Sequence, residues 1–307
     1  MSLLPPRFPF FGWVGFLAWM AAAALFAQAP IPNTLRHSFF APQTVPQEFE
    51  KQGMSVALNG DTAVVGAPFF DSDSLTVADS GAVKVYQVST GQLLHVIKNP
   101  DAAPYAYFGQ AVAISGSVIA VGSGATVGGA SYAGRVDVYD LSSPSPKVPV
   151  LSLTNPTPDE RDHFGHSLAI DGDRLLVGAW LDDAGAADSG VAYVYNLGSP
   201  TPQVPELVLA NPSPASEDCF GVAVAVAGDR VVVSAYQDDT GASNSGRVYV
   251  FDLSLPSSCS VFLSRAFTSF TCSCTVSKAL TERWISRCFL EYSLTTAFKT
   301  STARAGS

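Results

Sequence analysis

The chain has 307 residues, 47% of them hydrophobic and only 14% charged, with 25 glycines and 21 prolines. Soluble domains average about 25% charged residues, so the composition supports a core and excludes a disordered polyelectrolyte or a coiled coil. The formal charge of −9 has the wrong sign for nucleic-acid binding, which starts from a basic footprint. Glycine and proline scattered among Val- and Ala-rich runs point to short strands joined by many turns.

In chain order, residues 1–29 come first. Arg7 is their only charge, and it precedes an apolar run from Phe8 to Phe26 that ends in Ala27-Gln28-Ala29. This is the pattern of a cleaved secretory signal. The alternative is an uncleaved anchor, for which the run is just long enough, but Pro9 and the Ala-rich end weigh against it. The expected location is therefore secreted or cell-surface, with no membrane span left after cleavage. In the segment 30–48, Ser38-Phe39-Phe40-Ala41-Pro42 lies where an outermost, ring-closing strand would fall.

Residues 49–257 carry an internal repeat, the signature that decides the fold. Gly53, Gly109, Gly165 and Gly221 are each 56 residues apart, and Phe108, Phe164 and Phe220 precede the last three, with Gln52 before the first. A Gly-Asp or Gly-Ser turn follows each (Gly60-Asp61, Gly116-Ser117, Gly172-Asp173, Gly228-Asp229). Val65-Gly66-Ala67, Val121-Gly122-Ser123, Val177-Gly178-Ala179 and Val233-Ser234-Ala235 come next. Asn99-Pro100, Asn155-Pro156 and Asn211-Pro212 repeat at the same spacing. In the third unit, Ser167–Ile170 and Leu175–Ala179 flank a tight turn. An acidic loop leads to Val191–Tyr195, and a Pro-rich link to Leu207–Ala210. Four short strands per unit predict a propeller blade, and blades bury their faces by stacking on one another.

These motifs resemble the FG-GAP repeat of integrin α-type propellers and their bacterial secreted relatives. The resemblance implies an all-β fold, a β-propeller of about four four-stranded blades, with closure of the ring left open. It also implies extracellular contact with a protein or glycan ligand. The fourth unit runs out after its third strand. Residues 258–307 follow no repeat: they hold Cys259, Cys272, Cys274 and Cys288, with six basic residues against two acidic. A small disulfide-linked cap and a frameshifted or disordered end are both consistent with that tail.

Three loops between second and third strands are acidic: Asp71, Asp73 and Asp79; Asp182, Asp183 and Asp188; Asp238, Asp239 and Asn244. Ca²⁺ requires six to eight oxygens, several of them carboxylates on a flexible loop, so these nine residues are the candidate metal ligands. Against that, the integrin-type calcium loop would place ligands at Trp180 and Ala184, which cannot serve, and Asp also caps loop amides. Trp180 and Tyr236 share one aligned position and are candidate binding residues, with packing between blades as the alternative. His163-x-x-His166 could suggest a metal pair but is expected to decorate a loop or blade edge, because its counterparts are Tyr107 with Gln110 and Cys219 with Val222. No nucleophile-base motif, nucleotide loop or HExxH is present. A non-catalytic binding or adhesion module is therefore expected. A propeller-based carbohydrate-active or hydrolytic enzyme, or a fragment without independent function, are the alternatives.

Overall fold

The chain divides into two compact units, 1–41 and 42–307. The computed structural model describes residues 37–39, 50–71 and 77–254. The expected signal segment and the tail 258–307 lie outside the described residues, as does all of the proposed closing strand except Ser38 and Phe39, which carry no regular secondary structure.

The described part of the second unit contains fifteen strands and no helix, arranged as four antiparallel sheets in chain order. The first blade is β1 (Ser55–Asn59), β2 (Thr62–Ala67), β3 (Ala82–Gln87) and β4 (Leu93–Lys98). The second is β5 (Ala111–Ser115), β6 (Val118–Ser123), β7 (Arg135–Asp140) and β8 (Leu151–Thr154). The third is β9 (Ser167–Asp171), β10 (Arg174–Ala179), β11 (Val191–Asn196) and β12 (Leu207–Ala210). The fourth has β13 (Phe220–Ala227), β14 (Arg230–Ala235) and β15 (Arg247–Asp252). Each sheet is a simple meander, so the repeat and its four strands are as the spacing predicts. Only the fourth blade stops at three strands among the described residues.

Apolar residues on both faces of the inner strands explain the stacking. In β6, Ile119 and Val121 turn toward the first blade and Ala120 toward the third. Val64, Val83, Val85 and Ile97 pack against Phe108, Val112, Ile114 and Tyr139, and equivalent clusters fill the next two junctions. Phe108, Phe164 and Phe220 are completely buried there, each burial stabilising the stack by about 1.5–3 kcal/mol. The first strands β1, β5, β9 and β13 run side by side along one edge of the array.

Backbone bonds reinforce each junction. The amides of Phe108, Phe164 and Phe220 donate to the carbonyls of Ser80, Ala133 and Ser189 in the preceding blade, at 3.1, 2.9 and 2.9 Å. The two end blades differ from the inner ones, because each leaves one face to solvent. Val56 and Leu58 are 70% and 66% exposed on the first, and Val248 and Val250 are 62% and 57% exposed on the fourth.

Candidate functional site

The meander puts the segment before each first strand, the loop between second and third strands, and the Asn-Pro turn at one end of the blades. Every described residue singled out in the sequence for metal, ring or binding chemistry falls at that end.

The acidic loops are organised as turns that close on their own backbone. Asp71, Asp183 and Asp239 each accept, through Oδ1, the amide of Asp79, Asp188 and Asn244, at 2.9, 2.8 and 2.5 Å. Asp79, Asp188 and Asn244 have φ of 52°, 53° and 51°, a left-handed conformation that Asp and Asn adopt more readily than other side chains. Their backbone therefore explains their identity. Asp182 and Asp238 turn inward: Oδ1 accepts the amides of Ala184 (3.1 Å) and Thr240 (2.8 Å), and Oδ2 accepts the hydroxyls of Tyr193 (3.1 Å) and Tyr249 (2.6 Å). Asp73 lies outside the described residues. Among the described residues no three His, Cys, Asp or Glu side chains converge as a metal site, and the Oδ1 atoms of Asp71, Asp183 and Asp239 accept backbone amides.

The inward acids belong to polar clusters at the blade junctions. Between the second and third blades, Asn155 Nδ2 donates to Asp162 Oδ2 at 2.7 Å and to Asp182 Oδ2 at 3.1 Å. Asp162 is 1% exposed and Asp182 5% exposed. Burial pushes the Asp162 carboxyl up to about 6, helped by repulsion from Asp182, Asp159 and Asp183 and opposed by the amide of Asp159. The next junction repeats the pattern with Asn211 on Asp218 at 2.7 Å. It adds a cation, Arg247, 3.9 Å from Asp238, where the third blade has Val191. Burial works against the Asp238 anion. The hydrogen bonds from Thr240 and Tyr249 and the neighbouring Arg247 outweigh it, so its carboxyl sits below the usual range.

Beside the acids runs a ladder of aromatic rings that crosses three blades. Lys51 caps it from 3.8 Å over Phe69. Phe69 meets Tyr107 at 5.2 Å, Tyr107 stacks on Tyr132 at 6.4 Å, and Tyr132 on His163 at 6.0 Å. His163 then meets Trp180 at 5.9 Å, and His166 meets the same indole at 5.3 Å. The rings of Phe69, Tyr107, Tyr132, His163 and Trp180 are partly exposed. Burial, then His166 and Arg161, lower the His163 imidazole to about 4, and burial alone lowers His166. Both are therefore neutral at pH 7 and stack as aromatic surfaces.

Tyr107, Tyr132 and His163 all sit on left-handed backbone, with φ of 50°, 57° and 53°. The junctions hold them there, because the amide of Tyr107 donates to the carbonyl of Asp79 and that of His163 to Tyr132. Such a conformation costs an L-residue about 1–2 kcal/mol, and strained residues of this kind cluster at functional sites.

His163 and His166, expected as loop decoration, are rungs of this ladder. Trp180 joins it and its Nε1 is buried without a hydrogen-bond partner. Tyr236, the other predicted binding residue, is not brought to Trp180. It is 52% exposed and interacts with Cys219, whose sulfur also accepts from Gln237 Nε2 at 3.1 Å. Cys219 stands in the fourth blade where the second and third have Tyr107 and His163, and burial keeps its thiol protonated. Phe69, Tyr107 and Tyr132 were missed in the sequence. The available signal was the position just before each Phe-Gly pair, where Lys51, Tyr107, His163 and Cys219 recur at 56-residue spacing.

Models of the FG-GAP repeat match residues 48–86, 95–139, 152–195 and 209–251, more than half of the chain. The chain belongs to the FG-GAP repeat family. Its four sheets are four blades of the FG-GAP propeller type; the first matched segment covers β1–β3, and each later one runs from the last strand of one blade through the third strand of the next. No curated protein matches this FG-GAP chain. Among the described residues no helix is long and apolar enough to cross a membrane.

Proposed function

We propose that this FG-GAP protein is a secreted or cell-surface, non-catalytic binding module that takes an extracellular glycan along its aromatic ladder. The observation that carries the reading is the continuous run of partly exposed rings from Phe69 through Tyr107, Tyr132 and His163 to Trp180. Sugar rings present flat C–H faces to aromatic rings and hydroxyls to neighbouring donors. The partly exposed ring of Trp180 supplies an apolar face, and the exposed Asp183 beside it supplies an acceptor. Typical FG-GAP domains are extracellular propeller modules, which agrees with the apparent leader at residues 1–29.

An enzyme would need carboxylates converging on a reacting group. Asp162 has the raised carboxyl of a general acid, but it is buried at a junction and engaged by Asn155 and the Asp159 amide, so its shift is read as structural. Calcium is the alternative stabiliser of the acidic loops. An unfolding temperature unchanged by Ca²⁺ or a chelator is expected from the amide caps, and a clear rise with Ca²⁺ would instead assign the ion. The binding reading is tested on an array of polysaccharides and extracellular proteins. Glycan binding by the full chain, weakened at least tenfold by Tyr132→Ala, supports it. Binding of a protein only, unaffected by Tyr132→Ala and lost with Tyr236→Ala, would replace the glycan with a protein ligand.

A further inference from the structure

The three internal junctions share one close approach. A Cβ built on Gly66, Gly122 or Gly178 would lie 2.0, 2.0 or 2.1 Å from the carbonyl oxygen of Gly109, Gly165 or Gly221, the glycine of the next blade's Phe-Gly pair. None of the three receiving glycines has a positive φ, so lack of space, rather than backbone conformation, demands glycine. In two blades the strand beside that slot adds a hydroxyl: Ser55 and Ser167 donate to the incoming carbonyls of Gly109 and Gly221 at 2.7 and 2.6 Å.

The fourth blade departs from this at both places. The residue in the glycine slot is Ser234, paired across the hairpin with Ala223 where Ser55 and Ser167 stand. A side chain fills the slot, and its hydroxyl turns back to the Ala223 carbonyl at 3.2 Å. The opposite end of the array has changed too. Gln52 replaces the buried phenylalanine, and Lys84, 2% exposed, occupies the register position of Tyr193 and Tyr249. Lys84 is held there by Glu50 at 2.9 Å and Gln52 at 2.7 Å.

We propose that the outer face of the fourth blade is closed to any further FG-GAP blade, and that Ser234 is the residue that refuses it. An incoming Phe-Gly carbonyl has to retreat by about 1 Å, which forfeits up to half of the dispersion attraction at each contact. The fourth blade therefore does not dock on the first blade in the manner of the internal junctions, either within one chain or between copies. Repeat arrays with matched open ends polymerise head to tail, and this array has mismatched ends. Val248 and Val250 on one end and Val56 and Leu58 on the other are apolar and exposed at the positions where Ala192 and Val194 meet Val224 and Val226 inside the array, so the glycine slot, rather than the apolar face, is what differs.

The test imports the same change into a working junction of the full chain. Gly178→Ser is expected to release the fourth blade, with amide-exchange protection lost over β13–β15 and retained over β1–β8. Wild-type protein is expected to sediment as one species at all concentrations, and V56C/V250C to form no intramolecular disulfide under oxidation. A Gly178→Ser variant with wild-type protection and unfolding temperature would show that serine fits the slot, overturning the proposal. Concentration-dependent head-to-tail association of the wild type, or ready formation of the V56C/V250C bond, would overturn it as well. These last two measurements decide the question even if Gly178→Ser fails to fold.

Discussion

The junction between the second and third blades and the one between the third and fourth use the same residues 56 positions apart, yet they answer acid in opposite directions. Both set an asparagine from the Asn-Pro turn against a buried aspartate, and a tyrosine hydroxyl against a second one. Only the later junction supplies a cation, Arg247, where the earlier one has the buried Val191. Burial and repulsion from neighbouring acids favour the protonated form of Asp162, whereas a guanidinium nearby favours ionisation of Asp238. Arg247 thus adds to the Thr240 and Tyr249 hydrogen bonds in holding the Asp238 carboxyl low, in a junction whose packing is otherwise repeated.

The largest effect expected from breaking this comparison is at Asn155. Asn155→Ala removes the donor common to Asp162 and Asp182 and leaves two buried anions facing each other, an expected loss of about 3 kcal/mol. Asn211→Ala, with Arg247 still near Asp238, is expected to lose about half of that. Denaturant unfolding of both variants checks the ranking, and equal losses would remove the role given to Arg247.

The pH dependence follows next in size. Asp162 has a folded pKa near 6 against an ordinary value of 3.8, so between these values the folded state holds a proton that the unfolded chain has released. Its contribution to stability therefore rises as pH falls from 7 through 6 toward 4, by on the order of 1–2 kcal/mol. Asp162→Asn is expected to abolish that rise. Asp238 is depressed, so its contribution is present above the ordinary carboxylate pKa and is lost as pH falls through its lower folded value. Amide exchange at pH 7 and pH 5 should show protection gained at the earlier junction and none gained at the later one. Arg247→Val should move the later junction toward the behaviour of the earlier one, with a loss of about 1 kcal/mol at pH 7.

The smallest effect concerns Tyr139 and Tyr195. Among the described residues their buried hydroxyls have no hydrogen-bond partner, and burial raises both phenols. The fourth blade has Phe251 at the same register position. Tyr195→Phe removes an unmet polar group and is expected to leave stability unchanged or raise it by up to about 1 kcal/mol. A clear loss in thermal unfolding would instead reveal a partner for the hydroxyl.

The 56-residue spacing made the blades, their strands and their hairpins legible, because strand periodicity and turn residues are local. It also exposed the truncated fourth blade. What it could not convey was the chemistry formed across junctions. The ladder joins Tyr107 of one segment to Tyr132 of a loop and His163 of the next blade, through loops of unequal length. Tyr132 aligns in the structure with Asp79 and Asp188, and no fixed spacing links the three. The acidic loops were readable as either calcium ligands or caps; what the sequence could not show is that Asp71, Asp183 and Asp239 accept the amides of Asp79, Asp188 and Asn244 across the loop. Ser234 was in plain view between Val233 and Ala235. Its meaning depends on the carbonyl that occupies the same slot in the other three blades.

The most direct measurement of the functional account is a titration of the full chain with oligosaccharides from the array, comparing wild type with Tyr132→Ala and Trp180→Ala after equal unfolding temperatures have been established. The account predicts binding by the wild type, weakened at least tenfold in either variant because each removes one rung of a single surface. Equal affinity in all three proteins would contradict it.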